Sequence, residues 1–78
     1  MLAAALEHLV KGIVDHPEDA VVTKRNTSRG DLLEVVVHPE DLGRVIGRSG
    51  RTANALRTVI KALADGKSIR VDVVKTDF

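Results

Sequence analysis

The residues best suited to chemistry lie between Gly47 and Gly50, where two glycines enclose Arg48 and Ser49. Because neither glycine carries a Cβ, the backbone can turn tightly there and approach a ligand closely. A helical pattern begins directly afterwards at Arg51, and the start of a helix offers unpaired N–H groups and the positive end of the helix dipole. This combination predicts a site that holds phosphate groups.

The distribution of charge favours the same interpretation. The net charge of the whole chain is only +1, but residues 42–64 contain no acidic residue and five basic ones, namely Arg44, Arg48, Arg51, Arg57 and Lys61. The positive charge is therefore concentrated around the glycine turn, which implies a negatively charged partner. A solvated helix face can have the same composition, so the charge supports a site only in combination with the turn.

Length and composition limit the class of protein. With 78 residues the chain fits one domain over residues 1–78, and the absence of cysteine excludes a disulfide framework and a thiolate zinc site and suits the reducing cytoplasm. Phe78 is the only aromatic residue, which argues against modules that stack bases on aromatic platforms. The apolar start at residues 1–6 has no basic flank and is interrupted by Glu7, so we expect a helix there, with no signal peptide and no membrane partner.

No catalytic or metal-binding constellation is evident. His8, His16 and His38 lack metal-ligand spacing, and no serine, histidine and aspartate set assembles convincingly in so small a chain. The glycines match neither the P-loop nor the dinucleotide fingerprint. The tetrapeptide His-Pro-Glu-Asp occurs at 16–19 and at 38–41, in both cases where a connector is expected. We therefore expect no enzyme activity, no cofactor, no metal and no small-molecule substrate.

The periodicity of apolar residues predicts six elements that can position the glycine turn. A helix begins at residue 2, with an apolar face formed by Leu2, Leu6, Leu9, Val10 and Ile13, and Pro17 limits it to about residue 15. Strands are predicted at 20–26 and 32–38, joined as a hairpin by a loop at 27–31.

The second half of the chain is predicted to contain two helices and a strand. A short helix covers about 39–46, and a longer one covers 51–64 with Leu56, Ile60 and Leu63 as its core stripe. The alternating residues 68–74 are typical of a half-buried strand. The order α-β-β-α-α-β predicts an α+β domain, in which three helices cover one face of a three-stranded mixed sheet.

The last helix carries a second apolar stripe beside the first, formed by Ala55, Val59 and Ala62. Small residues allow another backbone to approach closely, so we hypothesise a dimer contact along this helix. Burial against the first helix would explain the same residues.

The element order, together with Val-Ile-Gly-x-x-Gly between the last two helices, resembles a KH domain of type II over nearly the whole chain. More narrowly, the chain resembles the small stand-alone bacterial KH proteins of the KhpA (YlqC-like) family. The resemblance is carried by Leu-Val-Lys-Gly-Ile-Val-Asp-His-Pro-Glu at 9–18, His-Pro-Glu-Asp-Leu-Gly-Arg-Val-Ile-Gly-Arg-Ser-Gly-Arg-Thr at 38–52 and Ile-Arg-Val-Asp-Val at 69–73.

The resemblance implies that the loop clamps the backbone of about four single-stranded nucleotides while their bases lie over an apolar groove. The implied RNA-binding residues are Gly47 and Gly50, which shape the loop, Arg48 and Ser49, which face the phosphates, Arg51, which opens the following helix, Val45 and Ile46, which support the groove floor, and the flanking Arg44 and Asn54. Ala53 stands where many KH domains have a larger aliphatic residue, which makes the floor shallower.

The resemblance also implies partners and a cellular role. Members are described as RNA-binding, chaperone-like proteins that form homodimers or pair with a larger KH-domain protein, with links to cell-wall synthesis and cell-length control. Two alternatives stay open from the residues themselves. One is a helix-turn-helix DNA binder, because residues 42–61 form two helices around a glycine turn. The other is an interaction subunit that acts through dimerisation and has only weak RNA contact of its own.

Overall fold

The computed structural model describes residues 1–74 of the chain, so Phe78 lies outside the described residues. Three helices and three strands follow the predicted order α-β-β-α-α-β. They are α1 (Leu2–Lys11), β1 (Val21–Thr27), β2 (Gly30–Val36), α2 (Leu42–Ile46), α3 (Arg51–Ala64) and β3 (Ile69–Val73). Short 3-10 turns precede β1 at Pro17–Asp19, precede α2 at Pro39–Asp41 and precede α3 at Arg48–Gly50.

The three strands form one mixed sheet in the order β1-β2-β3. β1 and β2 are antiparallel, with Val21 opposite Val36, and β2 and β3 are parallel, with Asp31 opposite Ile69. The hairpin loop is shorter than the predicted 27–31, because β2 already begins at Gly30 and only two residues separate the strands. The left-handed φ of +108° at Gly30 makes this early start possible.

One face of the sheet is covered by the helices. Along β2, Leu33 and Val35 are fully buried while the intervening Glu34 is half-buried, as expected when alternate residues point to opposite faces. The apolar core joins this face to the helices and includes Leu6, Val10, Leu33, Val35, Val37, Val45, Leu56, Ile60, Ile69 and Val71. The predicted α+β architecture is therefore confirmed.

Two residues that were expected in the core are exposed. Leu63 is 56% exposed, because the buried stripe of α3 runs through Ala53, Leu56, Ile60 and Ala64, and Ala64 takes the inward position at the end of the helix. Leu9 is 37% exposed beside the buried Val10. Burying one narrow face of each helix leaves such flanking positions at the surface.

Two helix boundaries also differ from the prediction, and β2 ends at Val36 and not at residue 38. α1 ends at Lys11 and not near residue 15, because Gly12 forms its C-cap. The helix predicted over 39–46 is divided into the turn Pro39–Asp41 and the five-residue α2. Within residues 1–74, no helix is long and apolar enough to cross a membrane.

Candidate nucleic-acid interface

The N-terminal end of α2 is fixed by Asp41, whose side chain is almost completely buried. One carboxylate oxygen accepts a hydrogen bond from the backbone N–H of Asp15 at 3.1 Å. The other accepts from the backbone N–H of His16 at 2.9 Å and contacts the Nδ1 atom of its ring at 3.1 Å. We call this group of Asp15, His16 and Asp41 the Asp41 latch. It ties the connector between α1 and β1 to the start of α2.

The latch favours its own charged form. Burial of Asp41 alone would raise the pKa of its carboxyl, but the backbone N–H donors of Asp15 and His16 and the His16 ring outweigh burial and lower that pKa. The hydrogen bond to Asp41 raises the pKa of His16, although desolvation acts in the opposite direction. Both pKa shifts favour the ion pair in which the Asp41 carboxylate faces the His16 imidazolium.

The two His-Pro-Glu-Asp segments meet at this latch. The rings of His16 and His38 stack with their centroids 4.1 Å apart and their planes 15° apart. The Nδ1 atom of His38 accepts the backbone N–H of Glu40 at 3.1 Å and so caps the turn before α2. The sequence indicates that both segments are connectors, and the structure adds that they pack together.

His16, His38 and Glu40 also bring three potential metal-ligand atoms within 4.8 Å of one another. However, the Nδ1 atoms of both histidines already have partners, and nearly parallel rings direct their remaining nitrogens side by side and not toward a common point. This arrangement fastens two connectors together. The absence of a metal site stays a prediction.

At the other end of α2, the chain enters the GxxG loop, which comprises residues Gly47–Gly50. Gly47 has φ +77°, and a Cβ at this position would lie 2.7 Å from the backbone nitrogen of Thr52. Such a contact is far too short, and a backbone atom cannot move aside as a flexible side chain can. Only glycine therefore allows the loop to fold back against the start of α3.

The tip of the GxxG loop has an unusual backbone. Ser49 and Gly50 both lie in the left-handed region, with φ of 57° and 77°. This conformation is strained for serine, and strained residues concentrate at functional sites. It leaves the side chains of Arg48 and Ser49 exposed. No side chain among residues 1–74 caps the start of α3, although the N–H of Arg51 already donates to the carbonyl of Arg48. The positive end of the α3 dipole therefore lies beside the exposed loop tip.

The basic candidates around the loop are not equivalent. Arg48 and Arg51 are exposed, and neither takes part in an ion pair with any residue from 1 to 74. Arg44 lies 3.3 Å from the carboxylate of Asp15, so its charge is partly balanced. The highest concentration of unbalanced positive charge is therefore at the loop tip and the first turn of α3.

The apolar candidates also divide into two groups. Val45 is fully buried, so it supports the loop from the core and offers no surface to a ligand. Ile46 is half-buried at the end of α2. Ala53 lies in the first turn of α3 and is only 4% exposed, so it faces the core as Val45 does.

Arg57 is part of this region in a way that sequence reasoning missed. Its Nε atom donates to the carbonyl of Val71 at 3.0 Å, and its Nη1 atom donates to Oδ1 of Asn54 at 3.0 Å. The spacing of three between Asn54 and Arg57 places both side chains on one side of a helix and could have suggested a pair. Nothing local in the sequence indicates the bond to Val71.

Comparison with known proteins places this geometry in a family. The family model described as KhpA/KhpB, KH domain, matches residues 3–74. A relative from Leifsonia xyli is 69% identical over 74 residues, which cover 95% of this chain and 97% of the relative. A relative from Streptomyces coelicolor is 64% identical over 77 residues, covering 99% of this chain and 96% of the relative.

A relative from Mycobacterium tuberculosis is 59% identical over 73 residues, which cover 94% of this chain and 90% of the relative. All three relatives carry the name RNA-binding protein KhpA. The family match spans α1 to β3 and includes both the Asp41 latch and the GxxG loop. The chain therefore belongs to the KhpA/KhpB family of KH domains.

Proposed function

We propose that this protein binds single-stranded RNA without catalysis and that the GxxG loop grips the phosphate backbone. The observation that carries the proposal is the loop tip, where Arg48 and Ser49 are exposed next to the start of α3, which no side chain of residues 1–74 caps. A positive helix end and a guanidinium that has no ion pair within residues 1–74 both favour phosphate. The relatives named as RNA-binding proteins support RNA as the ligand.

The structure gives a reason to prefer this function over binding of duplex DNA. In a helix-turn-helix protein, the first helix crosses the DNA backbone while the second enters the major groove. Here α2 has only five residues, which is about 7.5 Å of helix at 1.5 Å per residue. It is too short for that role, whereas the loop and the start of α3 form a compact contact for a few nucleotides.

Family membership supports finer expectations for this chain. We propose that it acts in the cytoplasm as an RNA chaperone or post-transcriptional regulator. A link to cell-wall synthesis and cell-length control follows from the family resemblance alone.

The decisive experiment measures binding of a labelled single-stranded RNA by fluorescence anisotropy. We expect a dissociation constant of micromolar order for the wild type. We expect at least a tenfold loss of affinity in the double variant Arg48→Asp/Ser49→Asp, because two carboxylates replace side chains that donate hydrogen bonds to phosphate. The matched control is Arg29→Asp/Ser28→Asp, which changes the same residue types at the exposed hairpin turn. Circular dichroism verifies that all three proteins fold.

Unchanged binding in the loop variant, or an equal loss in the hairpin control, would contradict the loop as the RNA grip. Preference for duplex DNA over single-stranded RNA would instead favour the helix-turn-helix alternative.

We also propose that two copies pair through α3. Ala55, Val59 and Ala62 are exposed in the single chain, so burial against α1 does not explain their apolar character. Val59 is 44% exposed and Leu63 extends the stripe. At 100° per residue, this stripe lies on the opposite side of the buried face from Asn54 and Arg57, so pairing would leave the RNA-facing side accessible.

Sedimentation equilibrium tests this pairing. We expect a dimer at micromolar concentration that Val59→Asp converts to a monomer, while Thr58→Asp, at the adjacent exposed position, does not. A wild-type monomer at high micromolar concentration would contradict self-association. A larger KH-domain protein would then be the partner to test.

A further inference from the structure

The outer edge of β3 carries backbone groups that have no strand partner within residues 1–74. The backbone N–H of Val74 bonds to Val35 and the carbonyl of Ser68 bonds to Asp31, so even-numbered residues of this segment face β2. In a parallel pair, the odd-numbered residues then direct their N–H and C=O groups outward. The carbonyl of Val71 therefore belongs to the open edge.

Arg57 lies against that open edge. Its Nε–H bonds to the Val71 carbonyl, and its Nη1 bonds to Asn54, which fixes the plane of the guanidinium. No carboxylate within residues 1–74 pairs with Arg57, and its side chain is half-buried. These bonds use two of the five guanidinium N–H donors, so one donor at Nη1 and two at Nη2 remain available on a group of fixed orientation.

Asn54 connects this guanidinium to the GxxG loop. A Cβ at Gly50 would lie 3.9 Å from Nδ2 of Asn54, so the amide is next to the loop. A continuous path leads from the loop through Asn54 and Arg57 to the open edge of β3. Arg57 lies six residues after Arg51, about 9 Å along the helix, which is comparable with the reach of one nucleotide from its phosphate to the far edge of its base.

We propose that Arg57 reads one base of the bound RNA and selects guanine or cytosine. The proposal rests on the proposed function, because it requires that the loop hold the adjacent phosphate. A fixed guanidinium edge offers two parallel N–H donors and matches two neighbouring acceptors in one plane, as arginine does at O6 and N7 of guanine. Cytosine offers such a pair at O2 and N3. Adenine and uracil have no two neighbouring acceptors of this kind and do not match.

The proposal distinguishes Arg57 from the cations around the loop. Arg48 and Arg51 are exposed at the loop, where they can contact phosphates, and such contacts carry no direct information about base identity. Arg57 is held by two hydrogen bonds beside a strand edge, and a donor whose direction is fixed can discriminate. In this proposal Arg57 determines base specificity through directed hydrogen bonds and not through its charge alone.

The test compares four labelled pentamers, UUGUU, UUCUU, UUAUU and UUUUU, by fluorescence anisotropy. One altered position is enough, because the RNA can shift its register until that base reaches Arg57. We expect the wild type to bind the guanine or cytosine pentamer at least fivefold more tightly than the adenine and uracil pentamers. Tighter binding of UUGUU would indicate that Arg57 contacts O6 and N7 of guanine, and tighter binding of UUCUU would indicate O2 and N3 of cytosine.

Arg57→Lys keeps the charge and removes the planar fork. We expect the preference to fall below twofold in this variant, while binding of UUUUU changes by less than threefold. Asn54→Ala provides a second test, since it releases Nη1 and reduces the preference. The control Arg70→Lys makes the same exchange at an exposed position of β3 and leaves the preference intact.

Equal wild-type affinity for all four pentamers would overturn the proposal, as would an unchanged preference in a folded Arg57→Lys variant. Either result leaves the loop grip standing, provided that Arg48→Asp/Ser49→Asp still weakens binding. If a mixed-sequence RNA of twenty nucleotides does not bind to the wild type, the proposed function fails, and this inference fails with it.

Discussion

The two ends of α2 use polar residues in opposite ways. At the N-terminal end, the carboxylate of Asp41 is buried and receives three hydrogen-bond contacts from Asp15 and His16. Past the C-terminal end, Arg48 and Ser49 are exposed, and no side chain of residues 1–74 caps the start of α3 that follows them. One end satisfies its polar groups inside the protein, and the other leaves its polar side chains exposed to solvent.

The difference suggests how a small domain holds a strained loop in place. A left-handed Ser49 costs energy and persists only when its surroundings determine it. The latch fixes where α2 begins, Val45 anchors its interior in the core, and Gly47 packs against Thr52 at its end. We expect changes at the latch to reduce stability first and changes at the loop tip to reduce binding first.

The largest expected effect is on stability and comes from Asp41→Asn. The amide replaces two acceptor oxygens with one acceptor and one donor, so a buried N–H is left without a partner. We expect the melting temperature to fall by about 10 °C in a domain of this size. The control is Asp19→Asn, at the same position of the first His-Pro-Glu-Asp segment, where the carboxylate is exposed. Thermal circular dichroism measures both melting temperatures. An equal decrease in the two variants would contradict a specific stabilising role for the Asp41 latch.

The two glycines of the loop should respond differently to alanine. In Gly47→Ala the new Cβ meets the backbone of Thr52, whereas in Gly50→Ala the nearest atom, Nδ2 of Asn54, is 3.9 Å away. We expect Gly50→Ala to cost about 1–2 kcal/mol, the penalty for an L-residue in the left-handed region, and Gly47→Ala to cost more. Urea denaturation measures both. A smaller loss for Gly47→Ala would contradict the close approach.

The latch also predicts a pH dependence. The raised pKa of His16 means that its contribution to stability is fully present below its unfolded value, about 6.5, and is lost as the pH rises through the folded pKa. The lowered pKa of Asp41 means that its contribution is present above its unfolded value, about 3.9, and is lost as the pH falls through the folded pKa. The latch is therefore strongest between these two values.

Melting temperatures measured from pH 4 to pH 9 test this dependence. We expect the decline above about pH 6.5 to disappear in His16→Gln and to persist in His8→Gln, because His8 is exposed on α1. A decline of equal size in both variants would assign the pH dependence to other groups.

The smallest expected effect separates two arginines at the loop. Arg48 has no ion pair among residues 1–74, while Arg44 is paired with Asp15 across a distance of 3.3 Å. Neutralising one phosphate contact changes the log–log salt slope of single-strand binding by about 0.7. We expect Arg48→Ala to reduce the slope by this amount and Arg44→Ala to reduce it by less. Anisotropy titrations at several salt concentrations measure the slopes, and a larger change for Arg44→Ala would contradict the ranking.

Local patterns in the sequence were sufficient for most of the fold. α3 has the predicted bounds 51–64, because a glycine precedes it, an Asp-Gly pair follows it and its apolar period is clear. The GxxG loop was also predicted, since two glycines enclosing polar residues form a local signal. The excess of positive charge at residues 42–64 depends only on composition.

The features that were missed depend on residues distant in the chain. Asp41 was predicted only as an acid in the first turn of a helix, because its partners at 15 and 16 lie on another connector. The bond from Arg57 to Val71 likewise requires that α3 pack beside β3. The prediction that Leu63 is buried was wrong, because apolar spacing along a helix does not show which of two neighbouring apolar positions, here Leu63 and Ala64, faces the core.

The parallel pairing of β2 with β3 has a consequence for how the protein behaves in solution. Asp31 and Ile69 lie opposite each other although they are thirty-eight positions apart in the sequence, and α2, the GxxG loop and α3 all lie within that interval. Long-range pairing of this kind forms slowly, and opening it disconnects the framework that holds the loop. RNA that binds only the closed form would add about 2.7 kcal/mol to the free energy of unfolding at a concentration one hundred times its dissociation constant. The RNA-bound protein would then unfold less often than the free protein, so proteases would degrade the free protein first.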